Sequence, residues 1–371
     1  MPKIPYGRQH IDQADIQAVA DTLQSDYLTT GPKIGEFERA VSNYCGVRFG
    51  VAVANGTAAL HAAMFALGIK EGDEVLVPPM TFAATANCVL YMGGTPVFAD
   101  VSPDTLLIDP QKVEEKITDK TKAIIAVDYT GQPCDWDSLR SLADRHNLAL
   151  VADGCHALGA TLKDQKVGTL ADMTIFSFHP VKHVATGEGG MVVTNDEDLD
   201  SKLHLFRNHG ITTDARTREE AGSWFYEMVD LGYNYRLTDI QAALGVSQMT
   251  KLPAFLERRR EIAAYYDTQF AGTNVTPLAV SDSVEHAYHL YVVRVANRNE
   301  VYKKLREAGI FAQVHYIPVH LHPYYKKNLQ TFEGLCPVAE AAYEQIISLP
   351  MYPDLTDEEL EYVTKTVLEL V

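Results

Sequence analysis

The sequence contains no run of apolar residues long enough to cross a bilayer, which takes about 18 or more. Its first residues, MPKIPYGRQHIDQADIQ, lack the apolar core of a secretory signal. It also lacks a block of lysine and arginine residues, and its formal net charge is -17, whereas proteins bind nucleic-acid backbones through clustered basic side chains. We therefore expect a cytoplasmic protein with neither a membrane nor a nucleic acid as a partner.

Cysteine is scarce as well: the 371 residues include five, with no CxxC pair. This spacing argues against a disulfide framework and against a structural zinc site. The motifs GxGxxG, GxxxxGK[ST] and HExxH are absent, so nicotinamide, P-loop and zincin functions lose their usual support. His320 and His322 lie between prolines with no acidic residue nearby in the sequence, so we expect no metal site.

Short apolar runs alternate with stretches of helical period. GVAVAN precedes TAALHAAMFALG, EVLVP precedes TFAATANCVLYMG, and KAIIAV, DWDSLRSLADRHN and LALVAD continue the pattern. This alternation predicts an α/β fold with a doubly wound, mostly parallel sheet that is covered on both faces. A long charged helix and shorter elements follow from about Pro253. We predict a large domain over residues 1–252 and a smaller α+β domain over residues 253–371.

Gly56 and Thr57 lie where an apolar run ends in Asn-Gly-Thr and passes into an alanine-rich helix. Free backbone N–H groups at such a helix start can bind a phosphate group. The same residues are equally typical of an ordinary helix start, with Thr57 as the N-cap and Gly56 easing the turn. Both interpretations remain open from these residues alone.

Asp153 and Lys182 are the next candidates for a site. Asp153 ends an apolar strand in VADGCHALGA, where open α/β sheets place ligands. A carboxylate there needs a cationic partner, such as a protonated pyridine nitrogen, unless it caps the next turn. Lys182 lies in FSFHPVKHVATGEGG, whose apolar and glycine-rich flanks would desolvate its amine and lower its pKa, as a Schiff-base lysine requires. Otherwise it is a solvated surface lysine. Ser177 and His179 would share a face.

A family resemblance rests on segments that appear in one order along the chain: LTTGP, NGTAAL, PMTFAATAN, the Asp-x-x-His of Asp153 and His156, SFHPVKHVATGEGG, RNHG, LGYNYRLTDIQAALG and VHYIPVH. Across essentially its whole length the chain resembles the sugar aminotransferases of the DegT/DnrJ/EryC1/StrS family, which are fold-type I pyridoxal 5'-phosphate enzymes. Related dehydratases carry histidine at the position of Lys182. The lysine therefore favours an aminotransferase.

The resemblance implies pyridoxal 5'-phosphate as the cofactor and Lys182 and Asp153 as catalytic residues. Lys182 would bind the cofactor as a Schiff base and then move the proton, while Asp153 would keep the pyridine nitrogen protonated. The other cofactor-binding residues that it implies are Gly56, Thr57, Phe82, His156, Ser177, His179 and Asn234. The substrate residues that it implies are Thr29, Arg236, His315 and Tyr316. Without the family, Phe82 could be a core aromatic and Arg236 a member of a surface ion pair.

The reaction implied is transfer of an amino group from glutamate to C4 of a UDP-linked 4-keto-6-deoxy-N-acetylhexosamine, in the pathway of pseudaminic acid. The resemblance also implies a homodimer whose active sites are shared between subunits, with Asn234 reaching the cofactor phosphate of the other subunit. Two alternatives stay open: an aminotransferase for another nucleotide sugar, at C3 or C4 and with a dTDP or GDP carrier, and a regulatory protein that binds the cofactor without turnover.

Overall fold

A computed structural model of the chain describes residues 3–213 and 215–371. Its strands are β1 (Ile4–Pro5), β2 (Phe49–Val53), β3 (Glu74–Val77), β4 (Thr95–Phe98), β5 (Thr121–Val127), β6 (Ala149–Asp153), β7 (Thr161–Leu162), β8 (Gln165–Lys166), β9 (Met173–Ser177), β10 (Gly190–Thr194), β11 (Thr276–Pro277), β12 (Val284–Glu285), β13 (Tyr291–Arg294), β14 (Ile310–Phe311) and β15 (Ile346–Leu349). Short 3₁₀ helices cover Tyr129–Gly131 and Val319–Leu321.

The α-helices of the described residues are α1 (Gln13–Leu23), α2 (Pro32–Cys45), α3 (Gly56–Ala66), α4 (Ala84–Tyr91), α5 (Pro110–Glu114), α6 (Trp136–His146), α7 (Glu197–Arg207), α8 (Ala215–Glu220), α9 (Asp239–Met249), α10 (Leu252–Phe270), α11 (Arg298–Glu307), α12 (Pro323–Asn328), α13 (Pro337–Tyr343) and α14 (Asp357–Leu370). Within the described ranges, none of them combines the length and the apolar character that crossing a bilayer requires.

The central sheet has seven strands in the order β2-β10-β9-β6-β5-β3-β4. The pairs β3–β4, β3–β5, β5–β6 and β6–β9 are parallel, and only β10 runs antiparallel to its neighbours β9 and β2. The predicted α/β class with a mostly parallel sheet is therefore confirmed. The predicted alternation also holds locally, since each apolar run quoted above forms a strand of this sheet and each helical stretch follows as a helix.

Both faces of the sheet are covered, as strand β10 illustrates. Val192 packs into the cluster that contains helices α3, α4 and α6. Met191 and Val193, which point to the other face, pack into the cluster formed with helices α2 and α9. This two-sided burial explains why the strands read as continuous apolar runs rather than as an alternation of polar and apolar residues.

A second, antiparallel sheet, β11-β13-β15, packs with helices α11 and α14 around a further core. Helix α10 connects the two regions, because Leu256 belongs to the core under the central sheet while Tyr266 belongs to the second core. Ile4 joins this second core through the pairing of β1 with β14. The N-terminal strand thus packs on the C-terminal region, and the boundary at residues 252 and 253 stays a prediction.

Gly190 lies where the backbones of strands β2, β9 and β10 are closely packed. It is paired with both Val53 and Ser177, and an added Cβ atom would lie 2.3 Å from the carbonyl oxygen of Asn55. Because the clash is with backbone, Gly190→Ala should lower the free energy of unfolding by about 2 kcal/mol. Urea denaturation measures the change.

The matched control is Gly35→Ala in helix α2, where the nearest atom to a new Cβ is the flexible guanidinium of Arg39 at 3.2 Å. Alanine in a helix interior should leave the stability unchanged or raise it by up to ~1 kcal/mol. Equal stabilities of the two variants would show that the strand approach at Gly190 is not tightly constrained.

Candidate active site

A cavity of about 480 Å³ lies at the carboxyl edge of the central sheet. Its walls come from the segments that follow β2, β3, β5, β6 and β9, so five strands deliver side chains to one place, as open α/β sheets commonly do. Residues from beyond the sheet complete it, namely Tyr6, His289, His315 and Tyr316. The cavity is therefore formed jointly by the central sheet, the N-terminal strand region and the C-terminal region.

Most residues predicted from the sequence line this cavity: Gly56, Thr57, Phe82, Asp153, His156, Ser177, His179, Lys182, His315 and Tyr316. Three predicted residues do not. Thr29 is exposed and pairs with Thr238, Asn234 is exposed and pairs with Asn208, and the guanidinium of Arg236 donates to Asn208 Oδ1 at 2.7 Å.

Asp153 is the last residue of β6 and is buried. Its Oδ2 accepts a hydrogen bond from Thr85 Oγ1 at 2.7 Å, and Thr85 in turn contacts Thr81 Oγ1 at 2.7 Å. Its Oδ1 accepts from the backbone N–H of Cys155 at 3.2 Å. The carboxylate thus has a fixed orientation. It both supports the following turn and faces the cavity, so the two interpretations made from the sequence are not exclusive.

Lys182 lies in the connection between the antiparallel strands β9 and β10, and its backbone N–H donates to the carbonyl of His179 at 2.8 Å. Its amine, Nζ, lies 3.3 Å from His289 Nε2. Burial lowers the pKa of Lys182 below its usual value, although the nearby Cys155 and Asp153 oppose this shift. Lys182 is therefore not the solvated surface lysine of the alternative interpretation.

Helix α3 starts at the cavity, with Gly56 and Thr57 in its lining. Asn55 is the N-cap, because its side chain accepts from the N–H of Ala58 at 2.8 Å. The alternative with Thr57 as the N-cap is thus wrong, and the Thr57 side chain lines the cavity instead. A Cβ atom at Gly56 would lie 3.1 Å from the Cβ of Ser177, so the glycine keeps this corner of the cavity open.

Aromatic rings form the opposite side of the cavity. Phe82 lies in the turn before helix α4 and is 61% exposed, so the alternative of a core aromatic is wrong. Its ring centroid is 6.2 Å from that of Tyr316. The hydroxyl of Tyr316 is 3.1 Å from Nε2 of His156, and burial and the charge of Lys182 hold the pKa of His156 well below its usual range. Nε2 of a neutral His156 accepts from Tyr316 or donates to it according to its tautomer, and Nδ1 has no partner among the described residues.

The lining residues that were missed from the sequence include Tyr6, Thr85 and His289. Thr85 follows Thr81 by four residues within PMTFAATAN, so helical spacing could have indicated it. Tyr6 and His289 lie far from the motifs in the sequence and reach the cavity only through long-range packing. No local signal marks them.

The fold agrees with what comparison with known proteins finds. The model of the DegT/DnrJ/EryC1/StrS aminotransferase family matches residues 9–368. The spore coat polysaccharide biosynthesis protein SpsC of Bacillus subtilis is 41% identical, over 99% of this chain and 97% of SpsC.

Solved structures agree as well. The putative sugar aminotransferase Spr1654 of Streptococcus pneumoniae, in its PMP form, is 38% identical with a TM-score of 0.95, over 99% of this chain and 98% of that one. It is also known in a PLP form. PseC of Helicobacter pylori, an aminotransferase in the biosynthesis of pseudaminic acid, is 34% identical with a TM-score of 0.92, over 99% of both chains.

The class of protein is therefore a sugar aminotransferase that depends on pyridoxal phosphate. The chain belongs to the DegT/DnrJ/EryC1/StrS aminotransferase family. The cavity fits the cofactor, because the open corner at Gly56, the partnerless Nδ1 of His156 and the buried carboxylate of Asp153 face one space that also holds the amine of Lys182. When bound, pyridoxal phosphate supplies an electron-accepting ring that stabilises a carbanion next to the transferred nitrogen.

The pKa of Lys182 generates a prediction for the protein without cofactor. Because burial disfavours the ammonium, Lys182 should lose its proton at a lower pH than Lys112, whose pKa is raised by its hydrogen bond to Glu115. Competitive acetylation across a pH series, followed by mass spectrometry of the two peptides, measures both. Labelling of both lysines over the same pH range would show that the Lys182 amine is solvated.

Proposed function

We propose that the chain transfers an amino group from glutamate to C4 of a UDP-linked 4-keto-6-deoxy-N-acetylhexosamine. The product is UDP-4-amino-4,6-dideoxy-N-acetyl-β-L-altrosamine, for pseudaminic acid biosynthesis, and the enzyme acts in the cytoplasm. The observation that carries this proposal is the likeness to PseC over 99% of both chains, in a chain whose cavity holds Lys182 beside Asp153. The described cysteines are all unpaired, which suits a reducing compartment.

Lys182 and Asp153 are the proposed catalytic residues. A lowered pKa makes the uncharged amine easier to reach, so Lys182 would take the proton from one carbon and return it to another. The oriented carboxylate of Asp153 would hold a proton on the ring nitrogen of the cofactor, since the hydrogen bond from Thr85 fixes its direction.

The remaining cofactor contacts are proposed from where each residue lies in the cavity. Gly56, Thr57 and Ser177 would hold the phosphate where helix α3 starts, because the N–H groups there are free to donate. The exposed ring of Phe82 would cover one face of the cofactor. His156 would direct its free Nδ1 to the ring oxygen. His179 lines the same cavity and is proposed as a further contact.

His315 and Tyr316 are the proposed sugar contacts within the subunit. The carbonyl of His315 accepts from the hydroxyl of Tyr129, and Nδ1 of His315 lies 2.8 Å from Ser348 Oγ. Its ring packs against Tyr6 with centroids 5.0 Å apart. The imidazole is therefore held rigidly at the cavity wall. Thr29, which is exposed and outside the cavity, stays a predicted substrate residue.

We also propose a homodimer with shared active sites. Residues 224–231 expose large apolar side chains, with Trp224 85%, Met228 62% and Leu231 66% exposed. A contiguous apolar surface of this kind marks a protein contact site. Within the described chain, Lys182 is the only lysine or arginine that lines the cavity. A cofactor phosphate and a nucleotide diphosphate need more positive charge, which Arg236 of a second copy would supply together with the amide of Asn234.

One alternative has a specific observation in its favour. SpsC, a spore coat polysaccharide biosynthesis protein, is 41% identical to this chain, whereas PseC is 34% identical. A different nucleotide sugar, aminated for a polysaccharide, is therefore the second candidate. A regulatory protein without turnover is disfavoured, because Lys182 and Asp153 are both in place in the cavity.

The substrate assay offers the purified enzyme L-glutamate with a panel of acceptors: the UDP-linked 4-keto-6-deoxy-N-acetylhexosamine, its 3-keto isomer, and dTDP- and GDP-linked 4-keto sugars. We expect amination of the first acceptor, identified by mass spectrometry and NMR. Lys182→Ala should lose at least ~10³-fold in turnover because the proton carrier is gone, and Asp153→Asn at least ~10²-fold. Preference for another acceptor would support the second candidate, and no turnover with any would support the regulatory alternative.

The shared site predicts complementation. Lys182→Ala removes the amine of its own subunit, and Asn234→Asp places a negative charge where the partner's cofactor phosphate would lie. Each variant alone should be impaired, whereas a mixture should regain activity, because a hybrid dimer has one site in which both residues are intact.

Subunit exchange is verified with two affinity tags, and sedimentation measures the mass at assay concentration. A fully active monomer would contradict the proposal. So would a mixture that exchanges subunits, includes a strongly impaired Asn234→Asp variant and yet regains no activity.

A further inference from the structure

His289 is the residue nearest to the amine of Lys182 that none of the sequence motifs indicated. It lies just before strand β13, in the segment of residues 286–290 that closes the cavity from the C-terminal region. Its Nε2 is 3.3 Å from Lys182 Nζ, while its Nδ1 has no partner among the described residues. The contact with Lys182 is thus the one hydrogen bond of this ring within the described chain.

The backbone around His289 is held from several sides. Tyr288 has a φ of 47°, a left-handed conformation that L residues rarely adopt. The guanidinium of Arg259, which is 1% exposed, donates to the carbonyls of Tyr288 at 3.0 Å and Met351 at 2.9 Å. On the opposite side the carbonyl of Gly131 accepts from Ala287 at 3.0 Å. The backbone position of His289 is therefore fixed by the fold rather than by Lys182.

The loop of Lys182 is tied to the same segment. His183 Nε2 lies 2.9 Å from the carbonyl of Ala287, so the residue next to Lys182 is anchored two positions before His289. A Cβ atom at Gly131 would lie 3.1 Å from the N–H of His289, which shows how closely the segment is packed. Lys182 and His289 consequently keep a fixed relative position.

The charges around His289 decide its protonation. The pKa of His289 is held well below its usual range, mainly by burial. The charge of Lys182 is the next cause, and smaller effects come from His156, His183 and Arg259. Asp153 and Cys155 also lie beside Lys182, the charge of Lys182 acts on His315 as well, and Glu188 lines the same cavity. A neutral imidazole has one N–H and one lone pair. Because a lysine ammonium has only donors, Nε2 must be the acceptor whenever Lys182 carries the proton.

We propose that His289 is a positioning residue for Lys182: its Nε2 accepts a hydrogen bond from Nζ and aims the amine during proton transfer. The imidazole neither gains nor loses a proton in this role. The proton moves only between Lys182 and the reacting carbons, and the hydrogen bond keeps Nζ in one direction while it does so. If Nζ pointed elsewhere, proton transfer would slow steeply, because its rate depends on the distance and angle between Nζ and the reacting carbon.

The test compares two amides that differ in reach. In His289→Gln the side-chain oxygen can take the place of Nε2, whereas in His289→Asn the amide ends near the position of Nδ1. With the protein loaded with pyridoxamine phosphate, competitive acetylation gives the pKa of Lys182. His289→Asn should lower it by about one pH unit, since the acceptor that favours the ammonium is lost, and His289→Gln should leave it close to the original value.

If His289 has a merely structural role, the pKa of Lys182 in His289→Asn should shift in the opposite direction. If the ring only fills space, the smaller asparagine admits water, and the pKa of Lys182 rises towards its usual value. His286→Asn is the control, because His286 is buried in the same segment but contacts Thr130 at 3.2 Å instead of Lys182. The asparagine oxygen can take the place of its Nδ1, which accepts from the N–H of Tyr288 at 2.8 Å. His286→Asn should leave the labelling of Lys182 unchanged. A rise of the pKa in His289→Asn, or equal values for the two amides, would overturn the proposal.

A kinetic arm follows the single-turnover reaction of the holoenzyme with L-glutamate and rests on the proposed amino donor. His289→Asn should slow this half-reaction about 10²-fold, with unchanged glutamate binding and a larger isotope effect for glutamate deuterated at C2. His289→Gln should stay within a few-fold of the unmodified enzyme. If the unmodified enzyme does not react with glutamate, the proposed donor is wrong, and the acetylation arm still decides the role of His289.

A measurement on the unmodified protein needs no variant and covers the case in which both variants fail to fold. Nitrogen-15 NMR of labelled histidine, in the enzyme loaded with pyridoxamine phosphate, reports which ring nitrogen carries the proton. The proposal requires the proton on Nδ1 of His289. A proton on Nε2 would leave no lone pair to accept from Lys182 and would overturn it.

Discussion

A partly buried lysine amine with a lowered pKa is the constraint on which the rest of this site depends. Burial penalises the ammonium, so Lys182 has a lowered pKa. A flexible, solvated chain would remove both the low pKa and the direction of the amine. The structure prevents this by tying the Lys182 loop to residues 286–290 through His183, and by holding that segment with the guanidinium of Arg259. Residues far from the reacting atoms thereby determine the chemistry of one side chain.

The single antiparallel strand of the central sheet, β10, also helps to position the amine of Lys182. Strand β10 returns between β9 and β2, so the loop with Lys182 starts and ends at the edge where Asp153 and Gly56 lie. Gly190 permits this return, because any side chain there would meet the backbone of Asn55. The connection therefore stays short and packed, and one hairpin places the amine close to both the carboxylate and the start of helix α3.

The sequence predicted what is local and missed what depends on long-range packing. The α/β class followed from the alternation of apolar runs and helical stretches. Asp153 stood out because it ends an apolar strand, and Lys182 because its flanks are apolar and glycine-rich. Thr57 was correctly placed in the cavity, although Asn55 is the N-cap. His289 and Tyr6 could not be predicted, because the tertiary structure alone brings the C-terminal region and the N-terminal strand onto the cavity.

Charge links the site to the surface of the molecule. A protein of net charge -17 must hold a cofactor phosphate, and Lys182 is the only lysine or arginine among the described lining residues. In its proposed role Lys182 would not also neutralise the phosphate, because accepting a proton requires the uncharged amine. Within the subunit the proposed donors are Thr57, Ser177 and the backbone N–H groups at the start of helix α3, and the proposed homodimer would add groups from a second copy. Asn234 and Arg236 lie outside the cavity but close to the exposed apolar residues 224–231 in the sequence, so a contact that buries this surface would also deliver polar donors to a neighbouring site.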